Sequence, residues 1–114
     1  MMKFTRYACL IVGVASLLAA GKPARAADEP TFAIEFKDGS VTPTRVEVPA
    51  KTRFRLELKN SGKTAAEFES NELKKEKVLA PGTTSSLIIR TLDPGEYKFF
   101  DDFHQQARGI IVAK

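Results

Sequence analysis

The sequence is poor in the residues that most metal and nucleophile chemistry requires: it has one cysteine and one histidine among 114 residues. The cysteine, Cys9, lies in an apolar run near the amino terminus, so residues 27–114 contain no thiol. This part of the chain can therefore form no disulfide, bind no metal through a thiolate and use no cysteine nucleophile. The sequence also lacks G-x-S-x-G, H-E-x-x-H, C-x-x-C and a phosphate-binding glycine loop, which argues against nucleophilic triads.

The first 26 residues have the pattern of a secretory signal peptide. Lys3 and Arg6 precede the apolar run YACLIVGVASLLAA, residues 7–20, and ARA, residues 24–26, fits an A-x-A cleavage site. We expect cleavage after Ala26 and export to the periplasm. The residues before Cys9, TRYA, are not a lipobox, so no lipid anchor is expected. The apolar run is too short to span a membrane, and no later segment is a candidate.

Removal of this leader changes the charge balance of the protein. The whole chain has 18 basic and 14 acidic residues, which gives a formal net charge of +4. Four of the basic residues and none of the acidic ones lie in the leader, so residues 27–114 are formally neutral. The basic isoelectric point of the full sequence is therefore no argument for a nucleic acid or an anionic membrane as a partner.

Residues 27–114 predict a single all-β domain. Apolar and polar residues alternate in TFAIEFK, TRFRLELKN and GEYKFF, as expected for half-buried strands. Turn signals such as DGSVTP, NSGK, APG and DPG separate them, and only the charged connection NELKKEK suggests one helical turn. About seven to eight short strands with proline and glycine turns are typical of a β-sandwich.

Three stretches of the chain resemble cupredoxins: FKDGSVTPTRVEVPAKTRFRLELKN, LAPGTTSSLIIRTLDPGEYKFF, and DDFH with the closing strand GIIV. This resemblance covers nearly all of residues 27–114 and implies a Greek-key β-sandwich with a metal-binding loop between its last two strands. It also implies ligand positions. Asp101 stands where the family has a cysteine and His104 where it has a histidine, and counting from Asn60 places Glu67 near the family's other histidine.

Departures from the family pattern exclude blue-copper electron transfer. The cysteine position holds Asp101, and the following QQARG contains no methionine to serve as the axial ligand. A type 1 copper centre needs the thiolate, so we do not expect one. Imidazole and carboxylate ligands suit Fe(II), Mn(II), Cu(II) or Zn(II), and we expect a divalent metal ion that is iron or copper.

The predicted metal ligands are His104, Asp101, Glu67 and Glu69. Asp101 and Asp102 are adjacent where a strand enters a loop, so their side chains point to opposite faces and only one of them is expected beside His104. The family position favours Asp101. Glu67 and Glu69 share a face if AEFES is extended. The alternative interpretations are a surface histidine, a solvated acidic turn and an exposed acidic strand face.

A narrower resemblance concerns AAEFESNELKKEKVLAPG, which is similar to cupredoxin-like modules of EfeO-type and other bacterial iron-uptake proteins. It implies a periplasmic protein that binds iron or copper and works with a membrane iron permease or another periplasmic iron-uptake protein. Two alternatives stay open: a metal-free docking module, and a ferroxidase component that oxidises Fe(II). Carriage is favoured over enzyme activity because the sequence offers one weak site and no second cofactor. No nucleic acid partner is expected and, after leader cleavage, no membrane insertion.

Overall fold

The computed structural model describes residues 29–114, so the predicted leader and Cys9 lie outside the described residues. Within this range nine β-strands form two sheets. No helix in the same range is long and apolar enough to cross a membrane. The strands are β1 (Thr31–Lys37), β2 (Ser40–Thr42), β3 (Arg45–Val48), β4 (Phe54–Asn60), β5 (Ala66–Ser70), β6 (Lys75–Leu79), β7 (Thr84–Ile89), β8 (Gly95–Asp101) and β9 (His104–Ala113).

The two sheets pack as a sandwich. One sheet has four strands in the order β2-β1-β4-β7, and the other has five in the order β3-β9-β8-β5-β6. β1 pairs with β4 and β3 pairs with β9 in parallel, while the remaining pairs are antiparallel. The all-β sandwich predicted from the alternation is confirmed, with nine strands in residues 29–114 rather than seven or eight.

Two local predictions are corrected by the structure. Ser40–Thr42, expected to be turn material, pairs with β1 as the short edge strand β2. The helical turn expected in NELKKEK is wrong, because a tight turn follows β5 and the chain returns as β6. Lys74 has φ 53° in this turn, and Ser70 pairs with Lys75 to close a hairpin. Pairing along all of β5 outweighs the weak helix preference of the charged residues.

Buried side chains of both sheets meet in one core. In β4 the residues alternate strictly between buried and exposed, so Phe54, Leu56 and Leu58 face the other sheet. The rings of Phe68 and Phe99 stack with centroids 5.5 Å apart, and Phe36 meets Phe68 edge-on at 6.5 Å. These three fully buried rings join both sheets at the centre of the sandwich.

The parallel pairing of β1 and β4 brings the ends of these strands to one end of the sandwich. Asn60, which ends β4, is buried and shapes the loop that follows it. Its Nδ2 donates to the carbonyl oxygens of Thr64 (2.8 Å) and Leu79 (3.0 Å), and its Oδ1 accepts from the Gly62 amide (2.9 Å). A Cβ on Gly62 would lie 2.6 Å from Asp38 Oδ1, so the loop approaches the β1–β2 turn closely only because this residue is glycine.

Replacement of Phe68 by alanine is expected to lower the free energy of unfolding by about 3–5 kcal/mol, because it leaves a cavity between two other rings. Urea denaturation followed by circular dichroism measures the change. Val78→Ala is the matched control, since Val78 is 57% exposed on β6; its expected effect is below about 0.5 kcal/mol. Equal losses in the two variants would contradict the central position of Phe68.

Candidate functional site

The side chain of Asp101 is a buried carboxylate at the end of β8, 1% exposed. Its Oδ1 accepts hydrogen bonds from the backbone amides of Glu67 (2.9 Å) and Phe103 (3.0 Å). Its Oδ2 lies 2.8 Å from His104 Nδ1. Both oxygens are thus engaged, and the carboxylate joins β5, the β8–β9 turn and the first residue of β9.

His104 lies directly opposite Asp101 in the β8–β9 pairing, with 24% of its side chain exposed. An ionised carboxylate can only accept, so Nδ1 carries a hydrogen and donates it to Asp101. The other ring nitrogen, Nε2, lies 3.4 Å from Thr64 Oγ1. A carboxylate behind one ring nitrogen is the arrangement that orients metal-ligating histidines in proteins.

Two residues near His104 were not among the predicted ligands: Asp38 and Thr64. Asp38 Oδ1 accepts hydrogen bonds from the Thr64 hydroxyl, the Lys63 amide and the Thr64 amide, each 2.9 Å long. These bonds, the hydroxyl bond foremost, hold the pKa of Asp38 below its usual value, and the nearby imidazole contributes in the same direction. In the sequence both residues belong to turn signals, DG and NSGKT. Such turns are common in β-proteins, so nothing in them indicates a functional residue.

Asp101, His104 and Thr64 stand in the order of a nucleophilic triad, but the hydrogen positions do not suit one. The threonine hydroxyl has a single hydrogen, and Thr64 donates it to Asp38. His104 therefore has no hydroxyl hydrogen to remove, and Thr64 is not activated as a nucleophile.

Glu67 and Glu69 lie on the outer face of the five-stranded sheet. Alternate residues of β5 are buried against the core, so the two glutamates between them face outwards. Asp101 and its partner His104 face the other side. The structure thus brings Asp101 and His104 together and places Glu67 and Glu69 apart from them, so the four predicted ligands do not form one site.

The outward-facing glutamates belong to a group that we call the outer carboxylate cluster, Glu67, Glu69 and Glu76. Glu69 is directly opposite Glu76 of β6, and one carboxylate oxygen of each of the three residues lies within 4.8 Å of the others. Partial burial, followed by repulsion from Asp102 and Glu76, raises the pKa of both Glu67 and Glu69. Within residues 29–114 the ion pairs to lysine or arginine involve carboxylates outside this cluster, those of Glu29, Glu47 and Asp93.

The sequence matches the family model of the cupredoxin-like domain over residues 9–113. It is also 42% identical over 80 residues to an uncharacterized protein of Rickettsia prowazekii (strain Madrid E). The matched segment covers 69% of this chain and 64% of the relative, so the chain spans just under two thirds of that relative's length.

Several solved structures have the same fold, a cupredoxin among them. Reduced auracyanin from Roseiflexus castenholzii matches 75% of this chain and 98% of its own, with a TM-score of 0.64 and 13% identity. A purple cupredoxin from Nitrosopumilus maritimus matches 72% of this chain and 98% of its own, with a TM-score of 0.55 and 18% identity. The metal-binding domain of a Cu(I)-exporting P-type ATPase from Streptococcus pneumoniae D39 matches 74% of this chain and 84% of its own, with a TM-score of 0.66 and 8% identity.

A type 1 copper ion does not fit the described residues. Such a centre is built from two histidines and a cysteine thiolate with a weak axial ligand, whereas residues 29–114 contain one histidine, no cysteine and no methionine. Asp101, at the position that the resemblance assigns to the cysteine, has both oxygens engaged in hydrogen bonds. The disagreement concerns the ligands alone, because the fold is shared.

Replacement of Asp101 by asparagine is expected to reverse the tautomer of His104. The asparagine amide donates where the carboxylate accepted, so Nδ1 must become the acceptor and Nε2 must carry the hydrogen. We also expect a loss of about 1–3 kcal/mol in stability. Nitrogen-15 NMR of the single imidazole measures the tautomer, and Asp102→Asn is the matched control. An unchanged tautomer in Asp101→Asn would contradict the proposed hydrogen positions.

The raised pKa values of Glu67 and Glu69 predict that stability falls as pH rises above their ordinary value of 4.5. Over that interval the folded state binds more protons than the unfolded state, so deprotonation costs stability. A Glu67→Gln, Glu69→Gln double variant is therefore expected to have a higher urea midpoint than the wild type at pH 7.

This advantage should disappear by about pH 4, where the wild-type carboxyls are protonated as well. Glu35→Gln with Glu57→Gln, exposed on the other sheet, is the control and should show no such pH-dependent gain. An equal gain from Glu67→Gln with Glu69→Gln at both pH values would show that ionisation of the two carboxyls is not its cause.

Proposed function

The chain belongs to the cupredoxin-like family, and we propose that it binds iron as cargo at the outer carboxylate cluster in support of bacterial iron uptake. The observation that carries this proposal is the approach of the Glu67, Glu69 and Glu76 carboxylate oxygens to within 4.8 Å of one another. The ion is a cargo to be held and passed on, and the shared fold supplies the scaffold rather than a copper ligand set.

The ligand chemistry of the cluster suits iron. Carboxylate oxygens are hard ligands that stabilise Fe(III) relative to Fe(II), so the cluster favours oxidation of the ion or its retention until transfer. Carboxylate oxygens bind transition metals at about 2.0–2.2 Å, so three of them around one ion lie about 3.0–3.6 Å apart. The three oxygens must therefore move closer than their present spacing, and the exposed side chain of Glu76 leaves room for that movement.

The charges around the cluster also favour a cation. Lys74 and Lys75 line a surface pocket together with Glu69 and Glu76. The ion pairs of residues 29–114 nevertheless join no lysine to the cluster. Burial and mutual repulsion already raise the pKa of Glu67 and Glu69. A divalent ion relieves this repulsion and replaces the protons that the carboxyls would otherwise take up.

Transfer of the ion to a partner follows from the incompleteness of the cluster. Three carboxylates on a sheet surface leave coordination positions that ligands of a second protein can fill. Export through the predicted leader, residues 1–26, places the domain, residues 27–114, in the periplasm. The partner in this proposal is a membrane iron permease or another periplasmic iron-uptake protein.

The test is the metal content of the chain expressed with its own leader and purified from the periplasm without chelator or tag. Elemental mass spectrometry is expected to find iron in near-stoichiometric amount. Glu67→Gln with Glu69→Gln should lower the iron content at least about tenfold, because it removes two of three ligands. Glu35→Gln with Glu57→Gln is the matched control and should retain the iron.

Other results of this experiment identify the alternatives. Iron that is lost in His104→Ala but retained in the glutamine variant would show that His104 and Asp101 bind the ion and that the outer carboxylate cluster does not. A wild-type chain that contains no metal and takes up neither Fe(II) nor Cu(II) on titration would favour the metal-free docking module. Oxygen consumption above the buffer rate on addition of Fe(II) would identify ferroxidase turnover.

A further inference from the structure

A cleft lies at the open edge of the sandwich where β6 and β7 meet. These strands follow each other in the chain, and each is the edge strand of its own sheet, β6 of the five-stranded one and β7 of the four-stranded one. The cleft has a volume of about 590 Å³, which is within the usual range of small-molecule sites. The residues that line it come from both sheets: Arg53, Lys75, Ile88, Arg90 and Thr91.

The strand register brings two arginines of this cleft together. In the antiparallel pairing of β4 with β7, Phe54 lies opposite Ile89. One further step along both strands places Arg53 opposite Arg90. Lys75, which begins β6, adds a third positive charge from the other sheet. Like charges on directly opposite residues destabilise a sheet, so the unliganded protein keeps this convergence at a cost in stability.

Acidic residues balance only part of this charge. Glu29 Oε1 lies 2.7 Å from Arg53 Nε, and Glu29 Oε2 lies 3.9 Å from Nη2 of Arg55 on the same face of β4. In the described part of the chain the ion pairs include neither Arg90 nor Lys75. Among the described residues that line the cleft, none is acidic. The cleft therefore has a surplus of positive charge that an anionic ligand can neutralise.

We propose that this cleft binds a phosphate monoester, with the guanidinium groups of Arg53 and Arg90 and the ammonium group of Lys75 around the phosphate. None of these three residues is a member of the outer carboxylate cluster, so the site does not depend on bound iron. The phosphate belongs either to a soluble phosphorylated molecule or to a lipid headgroup, because both present the same group.

The number and kind of cations favour phosphate over carboxylate. A phosphate monoester presents three terminal oxygens and a charge of about −1.5 to −2 at neutral pH, whereas a carboxylate presents two oxygens and a single charge. Guanidinium groups bind phosphate through paired hydrogen bonds, and an ammonium group binds it as a point charge. Glu29 engages Nε of Arg53, which leaves the two terminal nitrogens able to donate to a ligand.

The rest of the cleft suits the organic part of the ester. Its volume exceeds that of a phosphate group alone, and the half-buried side chain of Ile88 provides an apolar wall. Arg90 and Thr91 are exposed, so a ligand can enter directly from solvent.

The test is a titration of the exported, nitrogen-15-labelled protein with glycerol 3-phosphate at neutral pH and constant ionic strength, followed by NMR. The amide signals of residues 88–91 and the Nε signals of Arg53 and Arg90 are expected to move and to saturate. Arg90→Gln should weaken binding at least about tenfold, because it removes charge-assisted hydrogen bonds. Arg90→Lys, which keeps the charge without the paired hydrogen bonds, should bind with intermediate affinity.

Lys59→Gln is the matched control. Lys59 is exposed on the same face of β4 as Arg53, close to the other end of the strand, and its replacement should leave binding unchanged. Arg90 is the residue to replace in the cleft, because Lys75 also lines the pocket beside Glu69. Arg90→Gln should leave the iron content unchanged, so failure of this proposal is distinguishable from failure of the proposed iron site.

Vesicles identify the source of the phosphate. Phosphatidic acid in phosphatidylcholine vesicles presents the same monoester on a lipid. Cosedimentation with these vesicles that is lost in Arg90→Gln and kept in Lys59→Gln would assign the site to a lipid headgroup. Binding of glycerol 3-phosphate without cosedimentation would assign it to a soluble phosphate ester. Either result agrees with the proposal.

Three results would overturn the proposal. The first is an absence of saturable binding both to glycerol 3-phosphate and to the vesicles. The second is an equal response to acetate at the same ionic strength, which would indicate general screening of charge. The third is an equal loss of binding in Arg90→Gln and Lys59→Gln. Urea denaturation verifies that both variants are folded.

Discussion

The buried carboxylate of Asp101 is the interaction on which this end of the sandwich depends. A carboxylate taken out of water is costly unless its oxygens are hydrogen-bonded, and here two backbone amides and an imidazole provide those bonds. The donors come from β5, from the β8–β9 turn and from β9, so one side chain sets their relative positions. The same bonds engage the position that the resemblance assigns to the family's cysteine, and they fix the orientation of the imidazole.

Strand alternation places the polar side chains of this region on opposite faces of the five-stranded sheet. Residue 101 faces the core and residues 67 and 69 face solvent, although Asp101 accepts a hydrogen bond from the Glu67 amide. The inner side therefore offers an imidazole with oxygen ligands, and the outer side offers oxygen ligands alone. The two groups therefore present different donor atoms from opposite faces of one sheet, although the backbone of Glu67 contacts the side chain of Asp101.

Local pattern explains much of this arrangement, but long-range pairing explains the rest. Alternation in stretches such as TRFRLELKN is enough to predict the sandwich, and the spacing of Glu67 and Glu69 by two residues is enough to place them on one face. Asp38 and Thr64 could not be found in this way, because the parallel pairing of β1 with β4 brings them together and the packing of the two sheets brings them to His104. The register between distant strands leaves no local mark in the sequence. The helical turn expected in NELKKEK failed for the same reason, since pairing with β5 decides its conformation.

The place of β9 in its sheet bears on the order in which the protein can be made and folded. β9 is the last of the nine described strands, yet it lies inside the five-stranded sheet between β3 and β8. A ribosome therefore releases β3, β5, β6 and β8 before the strand that joins β3 to the others exists. Folding must wait for residues 104–113, and the contacts that complete it span long stretches of sequence, which makes it slow. Until β9 has been made, the edges of β3 and β8 that it will pair with stay open.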